Sequence, residues 1–174
     1  MGFEAVASRC LTRLGGATTA TAVQSLAIVL ATVGGVGYVP VAPGTAGSLA
    51  AVPLLPLLAA ARARTPVGGW LAVAALLAVS VWAANRADET FPGHDHGRIV
   101  IDEVAGMIVA GLFVPGTWTA AAVAFVCFRF FDVVKPWPAG VIDRHVPKGI
   151  GVVGDDLVAG VYAGIAARIL MEVL

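Results

Sequence analysis

The sequence predicts an all-α polytopic membrane bundle, with about five crossings and a re-entrant or interfacial helix at its N-terminal side. Three observations lead there. Of 174 residues, 59% are hydrophobic and 13% charged, and the mean hydropathy is +0.89; a water-soluble domain carries about 25% charged residues. No Asp, Glu, Lys or Arg occurs between Arg13 and Arg62, a run well beyond the ~20 apolar residues of one crossing. Further apolar runs follow, separated by glycine, proline or compact polar loops. Residues 1–174 read as a single domain without internal repeat. Disorder is excluded by the hydrophobicity, and a formal net charge of +0 gives no electrostatic footprint for nucleic acid. Cys10 and Cys127 lack a CxxC spacing, so they form neither a zinc site nor a disulfide framework.

Thr19 to Val33 reads as the first helix, of uncertain depth. Gly34, Gly35, Gly37, Pro40, Pro43 and Gly44 then break the apolar run, so 34–47 reads as a loop. A second helix is expected from Ser48 to about Ala61, and a third from Val67 to Ala84. A polar loop, Arg86 to Arg98, carries Asp88, Glu89, His94, Asp95 and His96. Val104 to Val114 is apolar, Pro115–Gly116 is a turn signal, and Trp118 to Phe128 resumes the apolar pattern, so a fourth helix is expected from near Ile99 and a fifth to near Asp132. A second polar loop runs from Lys135 to Gly154, and the last helix starts near Asp155, a plausible N-cap after Gly154. The first apolar run leads into glycine and proline, which is not a signal-peptide cleavage pattern.

Alternating crossings bring the glycine-rich loop and both polar loops to one face. Of the eleven carboxylates, nine fall there, Glu4 and Glu172 being the other two. Arg86, Arg98, Lys135, Arg144 and Lys148 lie on that face and Arg62 and Arg64 on the opposite one. The excess of Lys and Arg predicts a cytoplasmic acidic face; Arg9 and Arg13 strengthen this bias if the first apolar run is re-entrant or interfacial and nearly cancel it if that run spans.

Asp102–Glu103 heads an apolar helix and Asp155–Asp156 repeats the pattern. One acid in a first turn complements the helix dipole, but two pairs together with Asp132 on one face exceed that need. Carboxylates near membrane depth are costly and mark function. Without Cys and with little His, such a cluster suits Mg²⁺ or Mn²⁺, as one ion or two. Arg129, Asp132 and Lys135 are spaced i, i+3, i+6 along one helix face, and Lys135-Pro-Trp-Pro138 stops that helix. Pro43-Gly-Thr-Ala-Gly-Ser48 leads into a helix, so its backbone N–H groups around Thr45, Gly47 and Ser48 suit an anion, although it is not a P-loop. Asp95 beside His94 has the chemistry of a general base or of a holder for a water.

Six motifs in order then resemble one family. Gly44-Thr-Ala-Gly-Ser-Leu-Ala-Ala51, His94-Asp-His-Gly97, Ile101-Asp-Glu103, Phe128-Arg-Phe-Phe-Asp132 with Lys135-Pro-Trp-Pro138, Asp143-Arg144, and Gly149-Ile-Gly151 with Asp155-Asp-Leu-Val-Ala-Gly160 are similar to phosphatidylglycerophosphatase A, from about Leu26 to Gly164. The resemblance implies a Mg²⁺-dependent phosphatase of the bacterial cytoplasmic (inner) membrane. Its substrate would be phosphatidylglycerophosphate, converted to phosphatidylglycerol and inorganic phosphate on the route to cardiolipin. The family's acidic residues carry over to Asp95, Asp102, Glu103, Asp132, Asp143, Asp155 and Asp156, its basic ones to Arg129, Lys135 and Arg144, and its small polar loop to Thr45 and Ser48. Lys148 departs from the family's glycine-rich pair at Gly149.

On this basis Asp102, Glu103, Asp132, Asp155 and Asp156 are expected to hold Mg²⁺. Arg129 and Lys135 are expected to grip the phosphate, and Asp95 with His94 to accept the proton. Thr45, Gly47, Ser48, Asp143 and Arg144 are expected to bind the head group, while the acyl chains stay in the lipid bilayer. The alternative is an ion or small-solute transporter using the acids as a cation site. A catalytically silent assembly factor would leave the carboxylate pairs without a role.

Overall fold

The computed structural model describes residues 21–91, 97–145 and 149–173, and every regular element among them is helical. Helix α1, Thr21–Ala31, ends in a reversal through Val33, Gly34 and Gly35 at φ 50, 65 and 101. Two adjacent glycines tolerate this left-handed path because they have no Cβ to clash. A 3₁₀ turn, Val36–Tyr38, follows. The Val100 N–H then donates to the Ala31 carbonyl at 2.9 Å, tying α1 to the chain ahead of the acidic helix.

Helix α2 is Pro43–Ala51, with proline in the first turn where its missing N–H costs nothing. Gly44 to Gly47 are thus the first turns of a helix rather than the expected loop, and the helix starts before the expected Ser48. Helix α3, Leu54–Arg64, continues almost directly, since Val52 (φ −50, ψ −45) and Pro53 (φ −64, ψ −22) keep helical angles. Pro53 and Pro56 remove two N–H donors, and the chain tightens locally to i→i−3 bonds, Val52 N–H to Leu49 and Leu55 N–H to Val52, both 3.2 Å. Helix α4, Pro66–Asp88, runs through Arg86, beyond the expected end at Ala84. Helix α5 is Ile101–Ala110, α6 Trp118–Val134, α7 Ala139–His145 and α8 Gly149–Val173. Thr117 caps α6 by accepting from the Ala120 N–H at 3.2 Å.

Ionic side chains occur inside helices once they find partners. Helix α6 carries Arg129 and Asp132 and closes at Lys135, where the Lys135-Pro-Trp-Pro138 stop was expected. The second polar loop contains α7 and the start of α8, so Asp155 lies in the second turn of α8 and is not its N-cap.

Helix α8 packs mainly against α5 and α6. Ala159, Ala163 and Ala167 form a buried i, i+4, i+8 stripe on it. A Cβ on Gly160 would strike the Gly106 carbonyl, and one on Gly106 would enter the Phe128 ring. Small residues here let two backbones touch, as in membrane helix packing. Outward residues are apolar instead: Val67, Leu71 and Val79 on α4, Val126, Phe130 and Val133 on α6, and Val161, Ile165 and Ile169 on α8.

Among the described residues, two helical runs are long and apolar enough to cross a membrane, the 22-residue Pro43–Arg64 and the 23-residue Pro66–Asp88. That is fewer than the five crossings expected. The ten residues of α5 reach only ~15 Å of a ~30 Å hydrocarbon core, and α8 carries Asp155, Asp156, Arg168 and Glu172.

Candidate active site

Four helices meet at the acidic end of the bundle. Asp102 and Glu103 come from the first turn of α5, Asp156 from α8, Arg129 and Asp132 from α6, and Gly44 and Ser48 from α2. One carboxylate oxygen each from Asp102, Glu103 and Asp156 lies within 4.8 Å of the others. Asp102 is only 7% exposed and Asp156 4%. Asp102 Oδ1 accepts from the Glu103 N–H at 3.1 Å. Glu103 Oε2 is buried and has no hydrogen-bond partner. Three carboxylates at this separation repel one another, and an orphaned buried oxygen is costly. A small divalent cation answers both demands, and an all-oxygen donor set fits Mg²⁺ or Mn²⁺.

Basic residues border the trio without entering it. Arg129 Nη1 pairs with Asp132 Oδ2 at 2.7 Å and donates to Ser48 Oγ at 3.2 Å. The Ser48 hydroxyl in turn donates to the Gly44 carbonyl at 2.9 Å. Lys135 Nζ meets Asp155 Oδ2 at 2.6 Å. Lys135 closes α6 in the left-handed region (φ 45, ψ 60), its N–H donating to the Phe131 carbonyl. On α8, Tyr162 donates its hydroxyl to the Trp137 carbonyl at 3.0 Å, and its ring centroid lies 5.7 Å from that of Phe131.

The five acids expected to share one role are thus divided. Asp102, Glu103 and Asp156 converge, whereas Asp132 and Asp155 form ion pairs with Arg129 and Lys135. Asp132 still acts on the trio, because its charge is felt by both Glu103 and Asp156. Ser48 and Gly47, expected on the substrate, are buried. The Ser48 hydroxyl is committed to Gly44 and Arg129, and a Cβ on Gly47 would come within 2.8 Å of Val100 Cβ. Their place is set by the close α2–α5 crossing. Thr45 is half-buried. His94 and Asp95 lie outside the described residues; Asp143 and Arg144 belong to α7, with side chains outside the description.

Gly44 was not singled out by sequence as a contact of the acids. A Cβ there would collide with Glu103 Oε1 and stand 3.6 Å from Arg129 Nη1. Tyr162 was also missed, and nothing in its apolar sequence neighbourhood flags it.

The family model described as Phosphatidylglycerophosphatase A matches residues 29–171. The chain belongs to the phosphatidylglycerophosphatase A family. It is similar to the Phosphatidylglycerophosphatase A of Escherichia coli (strain K12), 39% identical over 88 residues, which is 50% of this chain and 51% of that one. It is similar also to the Phosphatidylglycerophosphatase A of Haemophilus influenzae, 41% identical over 71 residues, 40% of this chain and 44% of the relative. A Bacteroides thetaiotaomicron protein provisionally named a phosphatidylinositol-3-phosphatase is 37% identical over 98 residues, 54% of this chain and 60% of the relative. The matched stretch thus spans about half the length of these curated relatives. No solved structure matches the chain. Neither the family match nor the site geometry supports a transporter.

Proposed function

We propose that this chain is a membrane-embedded, Mg²⁺-dependent lipid phosphatase that releases the terminal phosphate of phosphatidylglycerophosphate and leaves phosphatidylglycerol, the precursor lipid for cardiolipin. The observation that carries the reading is the trio Asp102, Glu103 and Asp156, with Glu103 Oε2 buried and unpartnered. In this family a cation site beside paired basic residues suits phosphoryl transfer, where positioning and charge stabilisation dominate.

Asp102, Glu103 and Asp156 would hold the ion. When bound, Mg²⁺ supplies charge neutralisation for the phosphate and activation of water. Arg129 presents its guanidinium from α6, held by Asp132 and Ser48, and Lys135 presents its ammonium from the end of the same helix. Both would bind phosphate oxygens by charge-assisted hydrogen bonds. Asp95 with His94 is assigned the proton, and Thr45, Asp143 and Arg144 the glycerol phosphate edge. The outward apolar residues of α6 and α8 suit those helices to a bilayer beside the two long runs, and in this reading the acidic end would face the cytoplasm of a bacterial inner membrane.

The test is phosphate release by the purified protein in detergent, from phosphatidylglycerophosphate and from phosphatidic acid, with Mg²⁺ and with chelator. Mg²⁺-dependent release from the first lipid is expected. No release from folded protein would refute the reading.

A further inference from the structure

Two residues of α8 fasten the turn that ends α6. Asp155 takes the Lys135 ammonium at 2.6 Å, and Tyr162 donates to the Trp137 carbonyl at 3.0 Å. They are seven residues apart, which at 100° per residue is 20° short of two full turns, so both lie on one stripe of α8. The two ties add to the Lys135 N–H bond to the Phe131 carbonyl in a turn that carries a local cost: Lys135 sits at φ 45, a conformation that costs a residue with a Cβ about 1–2 kcal/mol. The Tyr162 ring adds a third contact against Phe131, one residue before Asp132. Trp137 itself is 78% exposed, so its indole does not secure the turn.

We infer that Tyr162 is a positioning residue for Lys135: its hydroxyl pins the Trp137 carbonyl so that the ammonium stays at the α6–α8 junction rather than swinging into solvent. This rests on the phosphatase reading for what Lys135 then does, namely grip the phosphate. Tyr162 touches neither substrate nor metal ligand in this assignment and acts only through the turn.

Tyr162→Phe tests it, because the ring contact with Phe131 is kept and a single hydrogen bond is lost. The sequence has two lysines, Lys135 and Lys148, so acetylation of the purified full-length protein by an amine-reactive ester, read by mass spectrometry, has an internal reference. Tyr162→Phe is expected to raise Lys135 modification relative to Lys148 about three- to tenfold, the size of one net hydrogen bond. It is expected to raise KM for phosphatidylglycerophosphate by a similar factor, with kcat little changed. Phe131→Leu, which loosens the same turn by another route, should move both readouts in the same direction. An unchanged modification ratio in Tyr162→Phe overturns the inference, as does a raised ratio with unchanged KM. Absence of hydrolysis by the wild type would defeat the phosphatase reading alone, since the modification ratio still tests the tie.

Discussion

At the scale of single residues, Asp156 and Gly44 give the proposed ion site its sharpest tests. Asp156 is one of three carboxylates that repel each other until a cation joins them. Asp156→Asn removes one charge from the trio and so relieves repulsion in the ion-free protein. The expected outcome is no turnover, with an unchanged or higher melting temperature without Mg²⁺. The Mg²⁺-induced rise in melting temperature, about 2.7 kcal/mol of stabilisation at a hundredfold excess over Kd, should be lost as well. Wild-type turnover in this variant would remove Asp156 from the ion site. Gly44→Ala acts from the other side, since its Cβ would occupy the position of Glu103 Oε1. The obstacle is the mobile end of a side chain, so Glu103 should turn away at little cost in stability. Activity should fall while the melting temperature moves little, and the Mg²⁺ requirement should shift to higher concentration. An unaltered Mg²⁺ dependence would count against Glu103 as a ligand.

Helices explain what the sequence could show and what it could not. Carboxylate pairs stand out in an apolar chain, so Asp102–Glu103 and Asp155–Asp156 were legible as a candidate site from their rarity alone. Which of them converge was not, because that depends on the rotational phase of α5, α6 and α8 about their own axes. Asp155 and Asp156 are 100° apart on α8, and this turns one towards Lys135 and the other towards Asp102 and Glu103. The start of α8 was misplaced where a charge was taken for a boundary, at Asp155, whereas the proline stop after Lys135 marked the end of α6. The glycines were legible as breaks at 34 and 35 but not as contacts at 44, 106 and 160, since their neighbours are remote in sequence. Gly160 makes the strictest of these contacts, where α8 lies directly on the α5 backbone. A methyl group there meets a carbonyl that cannot rotate aside, so Gly160→Ala should destabilise the protein by about 1–3 kcal/mol. The check is thermal unfolding in detergent. A melting temperature equal to wild type would mean that α5 and α8 are not seated this closely.

At the scale of the whole molecule, orientation in the bilayer decides which compartment supplies the site. Helix α4 is the clearest reporter, because its 23 residues extend ~35 Å at 1.5 Å each, enough to separate its ends by a ~30 Å hydrocarbon core. Arg86 and the start of the acidic end lie at its C-terminus, while Arg62 and Arg64 precede its N-terminus and the Arg62 guanidinium covers the Trp70 ring at 5.1 Å. Such an aromatic at a helix end is typical of a membrane–water interface. The larger share of Lys and Arg on the acidic side, Arg86, Arg98, Lys135, Arg144 and Lys148, predicts that this side is cytoplasmic. Thr65 and Glu89 are exposed just beyond the two ends of α4. With Cys10 and Cys127 replaced by serine or alanine, Thr65→Cys should react with a membrane-impermeant maleimide on intact spheroplasts. Glu89→Cys should react only after permeabilisation, because the carboxylates and the lipid head group they act on would then meet in the compartment that holds millimolar Mg²⁺. The reverse labelling pattern would place the acidic end outside the cytoplasm and require the substrate to reach it from the outer leaflet. Labelling of both positions on intact spheroplasts would show that α4 does not cross at all.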